Sequence, residues 1–106
     1  MNGYERRSQR KREAILDAAQ QLFFERGITS VHVAEIAMQA QVSQVTIYHY
    51  FGNKQELAFE VIKRLMNRAM DDAEQLLTMD IPFRAKLQAL FIAQEDQARQ
   101  FSDAFA

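Results

Sequence analysis

The sequence predicts an all-α fold, and three observations lead to this prediction. Apolar residues recur every three to four positions along most of the chain, which places them on one face of a helix. The 106-residue chain contains only one Pro and three Gly, so few residues interrupt helices. The only short alternating stretch, Val31-His32-Val33, is too brief to predict a strand. A chain of this length suits a single modest hydrophobic core.

The first helix is predicted over residues 8–26. Gly27 follows its apolar face and favours a C-terminal cap, because Gly adopts a left-handed backbone without strain at a Cβ atom. The apolar face consists of residues at helical spacing: Ile15, Ala18, Ala19, Leu22 and Phe23.

Two short helices joined by a tight turn follow, and together they predict a helix-turn-helix. The predicted helices are Val33–Ala40 and Gln44–Phe51, with a three-residue link. Ser43 has the hydroxyl with which an N-cap residue accepts a hydrogen bond from a free backbone amide. His32 stands three residues before Glu35, which imitates a capping box with an unusual first residue.

The outer face of the second short helix carries side chains that form hydrogen bonds. In a helix-turn-helix the second helix enters the major groove of DNA, and its N-terminal residues reach the base edges. Ile47 and Phe51 occupy the inner face. The outer face consists of Gln44, Thr46, Tyr48 and His49, whose groups can bond to bases, and Thr adds a methyl for thymine. The same geometry also occurs as plain helix packing, so the motif alone leaves both interpretations open.

Two longer helices are predicted in the second half, which divides the chain into residues 1–53 and 54–106. The first of them runs over about 54–79 and ends before Pro82, because Pro starts a helix but cannot continue one. The second begins at Phe83, and its face is still apolar at the last residues of the chain.

Charge is distributed unevenly between the two halves. Residues 1–64 contain nine Lys or Arg and seven Asp or Glu, a net charge of +2. Residues 65–106 contain four and seven, a net charge of −3. The basic residues gather near the start, as Arg6, Arg7, Arg10, Lys11 and Arg12. These residues either form an arm that contacts phosphates or enters a minor groove, or they belong to a frayed terminus. Both interpretations hold if the arm becomes ordered only on DNA.

Composition excludes or disfavours several classes of function. The absence of Cys excludes a disulfide-bonded fold, a thiolate zinc site and a Cys nucleophile. His32 and His49 stand alone, and the carboxylates Asp71, Asp72 and Glu74 have no ligand set beside them, so no enzyme site, cofactor or metal is predicted. No apolar run would span a bilayer and no signal-peptide pattern follows the basic start, so a cytoplasmic protein without a membrane partner is expected.

The run from Arg12 to Leu57 resembles the DNA-binding domain of the TetR/AcrR family of bacterial transcriptional repressors. Each matching element is unspecific by itself, but all of them occur in order at the family's spacings. The elements are Ile15-Leu16-Asp17-Ala18-Ala19, Leu22-Phe23, Gly27, Glu35-Ile36-Ala37, Ala40, Val42-Ser43, Thr46, Ile47-Tyr48, Tyr50-Phe51, Asn53-Lys54 and Glu56-Leu57. The resemblance implies a three-helix helix-turn-helix DNA-binding domain, followed by a long connecting helix and part of a helical ligand and dimerisation domain.

The resemblance also implies DNA contacts at ten positions. Lys54 matches a lysine that contacts phosphate at the start of the fourth helix, where free backbone amides add to its charge. Tyr48 and Tyr50 match positions whose hydroxyls reach the DNA backbone. The complete set is His32, Val33, Ser43, Gln44, Val45, Thr46, Tyr48, His49, Tyr50 and Lys54. Core packing remains an alternative for Tyr50, and plain exposure to solvent remains one for His49 and Lys54.

Three places depart from the family's pattern. Ala34 stands where many relatives have Arg or another polar residue. The absence of an Arg side chain removes a guanine contact worth about 1–3 kcal/mol of discrimination between bases. Gln41 stands where the turn usually has Gly, and a left-handed backbone there costs about 1–2 kcal/mol because of the Cβ atom. Residues 31–33 lack the usual Thr or Ser, unless a preceding hydroxyl or the His32 ring substitutes.

The second half is shorter than the resemblance leads one to expect. Family members have a larger helical domain that binds a small ligand and forms a dimer, whereas only about 50 residues follow Leu57 here. A truncated form is therefore expected, as a homo-oligomer altered by the truncation. Four Phe residues would lack partners unless the last helix folds back on the one before it: Phe83, Phe91, Phe101 and Phe105. Met66, Met70 and Met79 are expected to fill a core rather than to form a pocket wall.

These inferences lead to one expected function and one alternative. The expected function is that of a sequence-specific regulator of transcription that binds a double-stranded DNA operator. In its full-length form the protein is expected to be a repressor that a small-molecule inducer of unknown identity releases from the operator. The alternative is a helical interaction module that keeps the fold but has weak or no sequence-specific DNA reading, and its support is the apolar character of Val31, Val33 and Ala34.

Overall fold

The computed structural model describes residues 2–105, and across them the chain forms five α-helices and one turn of 3₁₀-helix. The elements in order are α1 (Gly3–Arg26), the 3₁₀ turn (Ile28–Ser30), α2 (Val33–Ala40), α3 (Gln44–Phe51), α4 (Lys54–Thr78) and α5 (Phe83–Ala104). The predicted all-α fold is confirmed, and the bounds of α2 and α3 agree with the prediction at both ends.

The first helix begins earlier than the sequence predicts. Asn2 is its N-cap, and its side-chain Oδ1 accepts a hydrogen bond of 2.9 Å from the backbone N–H of Glu5. The predicted start at residue 8 is wrong, because the helix begins before its apolar face does. The basic run of residues 6–12 therefore lies within α1 and is not a frayed arm. The helix ends as predicted before Gly27, whose φ of +80° would strain any residue with a Cβ atom.

The hydrophobic core lies between α1, α2, α3 and the first turns of α4. Its largest fully buried side chains are Ile15, Leu16, Phe23, Val31, Ile36, Ile47, Leu57 and Val61. Each buried side chain of this kind contributes about 1.5–3 kcal/mol relative to an exposed one. The burial of Val31 accounts for its apolar character by packing, so this residue no longer supports a loss of DNA reading.

The turn between α2 and α3 is tight and left-handed. Gln41 has φ 60° and ψ 44°, and within residues 2–105 it is the only residue other than Gly with a positive φ. The backbone N–H of Val42 donates a hydrogen bond of 3.0 Å to the carbonyl of Ala37, which satisfies an acceptor at the end of α2. Gln41 therefore has the left-handed backbone that costs about 1–2 kcal/mol for a residue with a Cβ atom.

Charged side chains hold α4 against α1. Arg64 of α4 is only 14% exposed on its side chain, so its hydrogen bonds to α1 replace contacts with water. Its acceptors on α1 are Glu13 at 3.1 Å, Asp17 at 2.9 Å and Gln20 at 2.7 Å. One turn nearer the start of α4, Glu60 forms an ion pair of 3.0 Å with Arg12, whose guanidinium carbon lies 5.3 Å from the ring centroid of Phe51. These bonds fix the direction in which α4 leaves the helix-turn-helix.

The last helix folds back, and its final turn packs on α1. The ring centroid of Phe105 lies 6.0 Å from that of Phe23 and 6.0 Å from that of Phe24, in edge-to-face geometry. Phe101 stacks on the other side of Phe105 at 5.9 Å. Phe105 therefore has aromatic partners on α1, and Phe101 has Phe105 as its partner.

The outer surface of α4 and α5 is rich in exposed apolar side chains. Phe83 and Phe91 are 70% and 67% exposed, which agrees with the expectation that they lack partners. The expectation that Met66, Met70 and Met79 fill a core is wrong, because each of them is more than half exposed. A cleft of about 300 Å³ separates the two helices.

Candidate nucleic-acid interface

The start of α3 is fixed by a hydroxyl cap. The Ser43 Oγ accepts a hydrogen bond of 3.1 Å from the backbone N–H of Thr46 and lies 2.9 Å from the Thr46 Oγ1. The N-cap predicted at Ser43 is therefore confirmed. Because the same hydroxyl contacts the Thr46 side chain, it also orients that side chain at the first turn of the helix.

The two faces of α3 differ as the sequence predicts. Ile47 and Phe51 are buried in the core, and they fix the rotation of the helix about its axis. The outer face is exposed at Gln44, Val45, Tyr48 and His49, and Thr46 is half-buried at its edge. Val45 is 77% exposed, so its methyl groups are available on this face. This outer face presents amide, phenol and imidazole groups that α3 does not use internally.

Tyr50 packs against the core and also forms a polar contact with α1. Its ring is half-buried, and its Oη lies 2.8 Å from the Oγ of Ser8. This hydrogen bond joins the last turn of α3 to the second turn of α1. The structure therefore supports the core-packing alternative for the Tyr50 ring and keeps its hydroxyl near the surface.

Lys54 has a structural role that sequence reasoning did not find. Its Nζ donates hydrogen bonds to the carbonyls of Ile28 at 3.0 Å and Val31 at 3.1 Å. The side chain is half-buried, so the alternative of a solvated lysine is wrong. Only the tertiary fold brings the 3₁₀ turn to the start of α4, and no local signal in the sequence reveals that contact. A contact of Lys54 with DNA phosphate remains a prediction.

An ion pair holds the start of α2, where the family resemblance leads one to expect a hydroxyl cap. The Glu35 Oε2 accepts a hydrogen bond of 2.9 Å from the backbone N–H of His32, so the Glu half of the predicted capping box is confirmed. The Nη1 of Arg26 lies 2.6 Å from Glu35 Oε1, and its Nη2 donates to the carbonyl of Ser30. The Arg26 hydrogen bond, followed by that from His32, lowers the pKa of Glu35 to about 2.

Two further predicted site residues lie at this end of α2. The side chain of His32 is exposed, and Val33 is half-buried against the core. Contact of either residue with DNA remains a prediction, as it does for the residues of α3.

A cleft between α1 and α3 borders the outer face of α3, and sequence reasoning did not find it. Its volume is about 380 Å³. The lining side chains come from α1 (Tyr4, Arg7, Ser8 and Lys11) and from α3 (Val45, Thr46, His49 and Tyr50). The i, i+4 spacing of Arg7 and Lys11 places both on one side of α1, but Arg6 and Arg10 have the same spacing, so no local signal separates the two pairs.

Two kinds of site are absent from residues 2–105. No three His, Asp or Glu side chains in this part of the chain gather so as to hold a metal ion. No helix within it is long and apolar enough to cross a membrane.

Comparison with known proteins gives a consistent result for the helix-turn-helix. Residues 15–61 match the family described as "Bacterial regulatory proteins, tetR family". The chain is 34% identical over 80 residues to the HTH-type transcriptional regulator BetI of Rhizobium meliloti, and the match covers 76% of this chain and 39% of the relative. It is 29% identical to the HTH-type transcriptional repressor KstR2 of Rhodococcus jostii, with the same two coverages. The chain thus spans about two fifths of the length of these relatives.

A solved structure shares the fold over more of its length. The crystal structure of NalD, the secondary repressor of the MexAB-OprM multidrug efflux pump in Pseudomonas aeruginosa, matches with a TM-score of 0.54 and 25% identity. The match covers 91% of this chain and 63% of that one. The similarity therefore extends beyond the helix-turn-helix into α4 and α5.

Proposed function

We propose that this chain, which belongs to the TetR family of bacterial regulatory proteins through residues 15–61, binds double-stranded DNA with α3 and represses transcription. The observation that carries the proposal is the outer face of α3. It is an exposed set of hydrogen-bonding side chains on a helix whose rotation is fixed by buried Ile47 and Phe51 and whose start is fixed by Ser43. A helix fixed in this way suits recognition, because little backbone freedom is lost on binding.

In the proposed complex α3 enters the major groove. The amide of Gln44 suits the edge of adenine, and the Thr46 methyl and the exposed Val45 suit the methyl of thymine. The phenol of Tyr48 and the ring of His49 reach bases or the neighbouring backbone. Phosphate contacts of this kind set the position of the helix, and the base-edge contacts set the sequence preference.

The regulatory part of the proposal concerns the whole protein. A homodimer places two α3 helices on operator half-sites about one turn of DNA apart. A small-molecule inducer releases the operator by favouring a dimer in which that spacing no longer fits. The role is one of binding rather than catalysis, and it takes place in the cytoplasm, where the DNA is.

The proposal is tested by gel shift with a mixed-sequence DNA duplex at low salt. We expect binding that weakens as salt rises, with a log–log slope of about −0.9 for each phosphate neutralised. Tyr48→Ala should weaken binding by on the order of tenfold, since it removes a polar contact from the outer face of α3. Phe91→Ala, which removes an exposed aromatic ring from α5, is the control and should bind as the parent does.

Two outcomes would count against the proposal. If the folded, helical parent does not bind at low salt, the chain is the alternative helical interaction module and the DNA proposal fails. If Tyr48→Ala binds as well as Phe91→Ala, the docking face is not the outer face of α3. Selection from a randomised duplex library then measures sequence preference, which the exposed methyl of Ala34 makes weaker than that of a relative with Arg there.

A further inference from the structure

Two of the five basic residues near the start of the chain point toward α3. Arg7 and Lys11 line the cleft between α1 and α3. Arg12 is turned the other way, where it is paired with Glu60. Arg6 and Arg10 are exposed and do not line the cleft. The basic run, which looks uniform in the sequence, is thus divided by the helix into parts with different surroundings.

The lining of the cleft fits an anion with several acceptor oxygens. Arg7 supplies a guanidinium group and Lys11 an ammonium group, and the Thr46 hydroxyl and His49 ring face them from α3. No Asp or Glu is among the described residues that line the cleft, so nothing there neutralises the two cations. Guanidinium and ammonium groups form short, charge-assisted hydrogen bonds with phosphate oxygens.

A hydrogen bond holds the two walls of the cleft together. The Ser8 Oγ on α1 lies 2.8 Å from the Tyr50 Oη on α3, and the Tyr50 ring packs against the core below. The fold therefore sets the separation of the two helix backbones that carry Arg7 and His49. A site that exists before binding loses less entropy when it is occupied.

We infer that the cleft binds a backbone phosphate of the DNA whose groove α3 occupies, through Arg7 and Lys11 of α1. This inference rests on the proposed function and adds a second helix to the interface. The contact fixes the side on which α3 meets the duplex, and it carries no sequence information itself. Loss of the two cations should therefore weaken binding to every sequence by the same factor.

The experiment compares two double variants with equal loss of charge. Arg7→Gln/Lys11→Gln removes the cations of the cleft, and Arg6→Gln/Arg10→Gln removes two cations from the same helix end outside it. For the cleft variant we expect an affinity lower by about tenfold or more. The slope of log affinity against log salt should be shallower by about 0.9 for each phosphate that the variant no longer neutralises. The control variant should keep the parent slope. Circular dichroism of both variants verifies that α1 remains helical.

Each outcome decides the inference. Equal slopes for the two variants overturn it, because net charge near the helix end would then explain the effect. A change in sequence preference in the cleft variant also overturns it, since a phosphate contact does not read bases. If the parent binds DNA and Tyr48→Ala weakens it, these results leave the proposed function intact. If the parent does not bind DNA at all, both proposals fail together.

Discussion

The N-terminal region (residues 3–61) and the C-terminal region (residues 62–105) differ in how completely they bury their apolar side chains. In the first, fourteen buried residues form one cluster that α1, α2, α3 and the start of α4 enclose. In the second, Ala104 is the only buried residue among those described, and it lies in the turn of α5 that reaches α1. The N-terminal region therefore has a core of its own, and the C-terminal region depends on the N-terminal region for the little burial that it has.

Similar apolar patterns therefore lead to different packing in the two regions. Both regions have helices with an apolar face, but the faces of the N-terminal region meet in one buried core, whereas a cleft lies between α4 and α5 at residues 69–76 and 90–97. Burial needs a partner surface as well as a pattern, so the exposed Phe83 and Phe91 contribute little of the stability that the buried Phe23 contributes.

The largest effect is expected from paired Phe truncations in the two regions. Phe23→Ala should lower the free energy of unfolding by about 3–5 kcal/mol, because it leaves a cavity in the core. Phe91→Ala should change it by no more than about 0.5 kcal/mol, since the ring is exposed. Urea denaturation followed by circular dichroism at 222 nm (the helix signal) measures both. A comparable loss in the two variants would show that the C-terminal region is packed as tightly as the N-terminal one.

A smaller effect is expected from two lysines that each bond to backbone carbonyls. Lys54→Ala should lower the free energy of unfolding by about 1.5–3 kcal/mol, because two carbonyls of the 3₁₀ turn lose a charged donor. Lys86→Ala removes a single bond, to the carbonyl of Leu77 at the exposed end of α4, and should cost less. The same denaturation measurement compares them. An equal cost for both variants would contradict the structural role assigned to Lys54.

The smallest effect is expected from the ion pair between Glu35 and Arg26, and it depends on pH. The folded-state pKa of Glu35 is lowered to about 2, so its ion pair with Arg26 stabilises the N-terminal region above the ordinary carboxyl pKa of about 4.5. This contribution is lost as pH falls from about 4.5 toward 2. The melting temperature of Glu35→Gln should therefore decrease less than that of the parent as the pH is lowered over that interval. Glu95→Gln, which changes an exposed carboxylate of α5, should leave the acid profile of the parent unchanged, and a flattened profile there would contradict the assignment.

The helix-turn-helix could be predicted from the sequence because its limits are set locally. The Ser43 hydroxyl starts α3, and Gly27 and Gly52 end helices at backbone angles that suit Gly. The inner and outer faces of α3 follow from spacing alone. The first turns of α1 could not be predicted in this way, because their stability comes from the Asn2 cap and from polar residues that leave no apolar pattern.

The remaining features depend on contacts between residues that are distant in sequence. Lys54 reaches the carbonyls of the 3₁₀ turn, and Ser8 reaches Tyr50, only after the helices have packed. The same holds for the docking of Phe105 on α1. Spacing within one helix shows which residues share a face, but it does not show which other helix that face will contact. For that reason the cleft that holds Arg7 and Lys11 emerges from the fold alone.

The contact between Phe105 and Phe23 has a consequence for the order in which the chain folds. It joins the end of α5 to α1 across about three quarters of the sequence, whereas α2 and α3 are neighbours in the chain. Closing so long a loop carries an entropic cost that grows with the logarithm of its length. We therefore expect the ring contact to form after the N-terminal core has assembled and to open first on heating. Amide hydrogen exchange should accordingly be faster in the last turn of α5 than in the middle of α1.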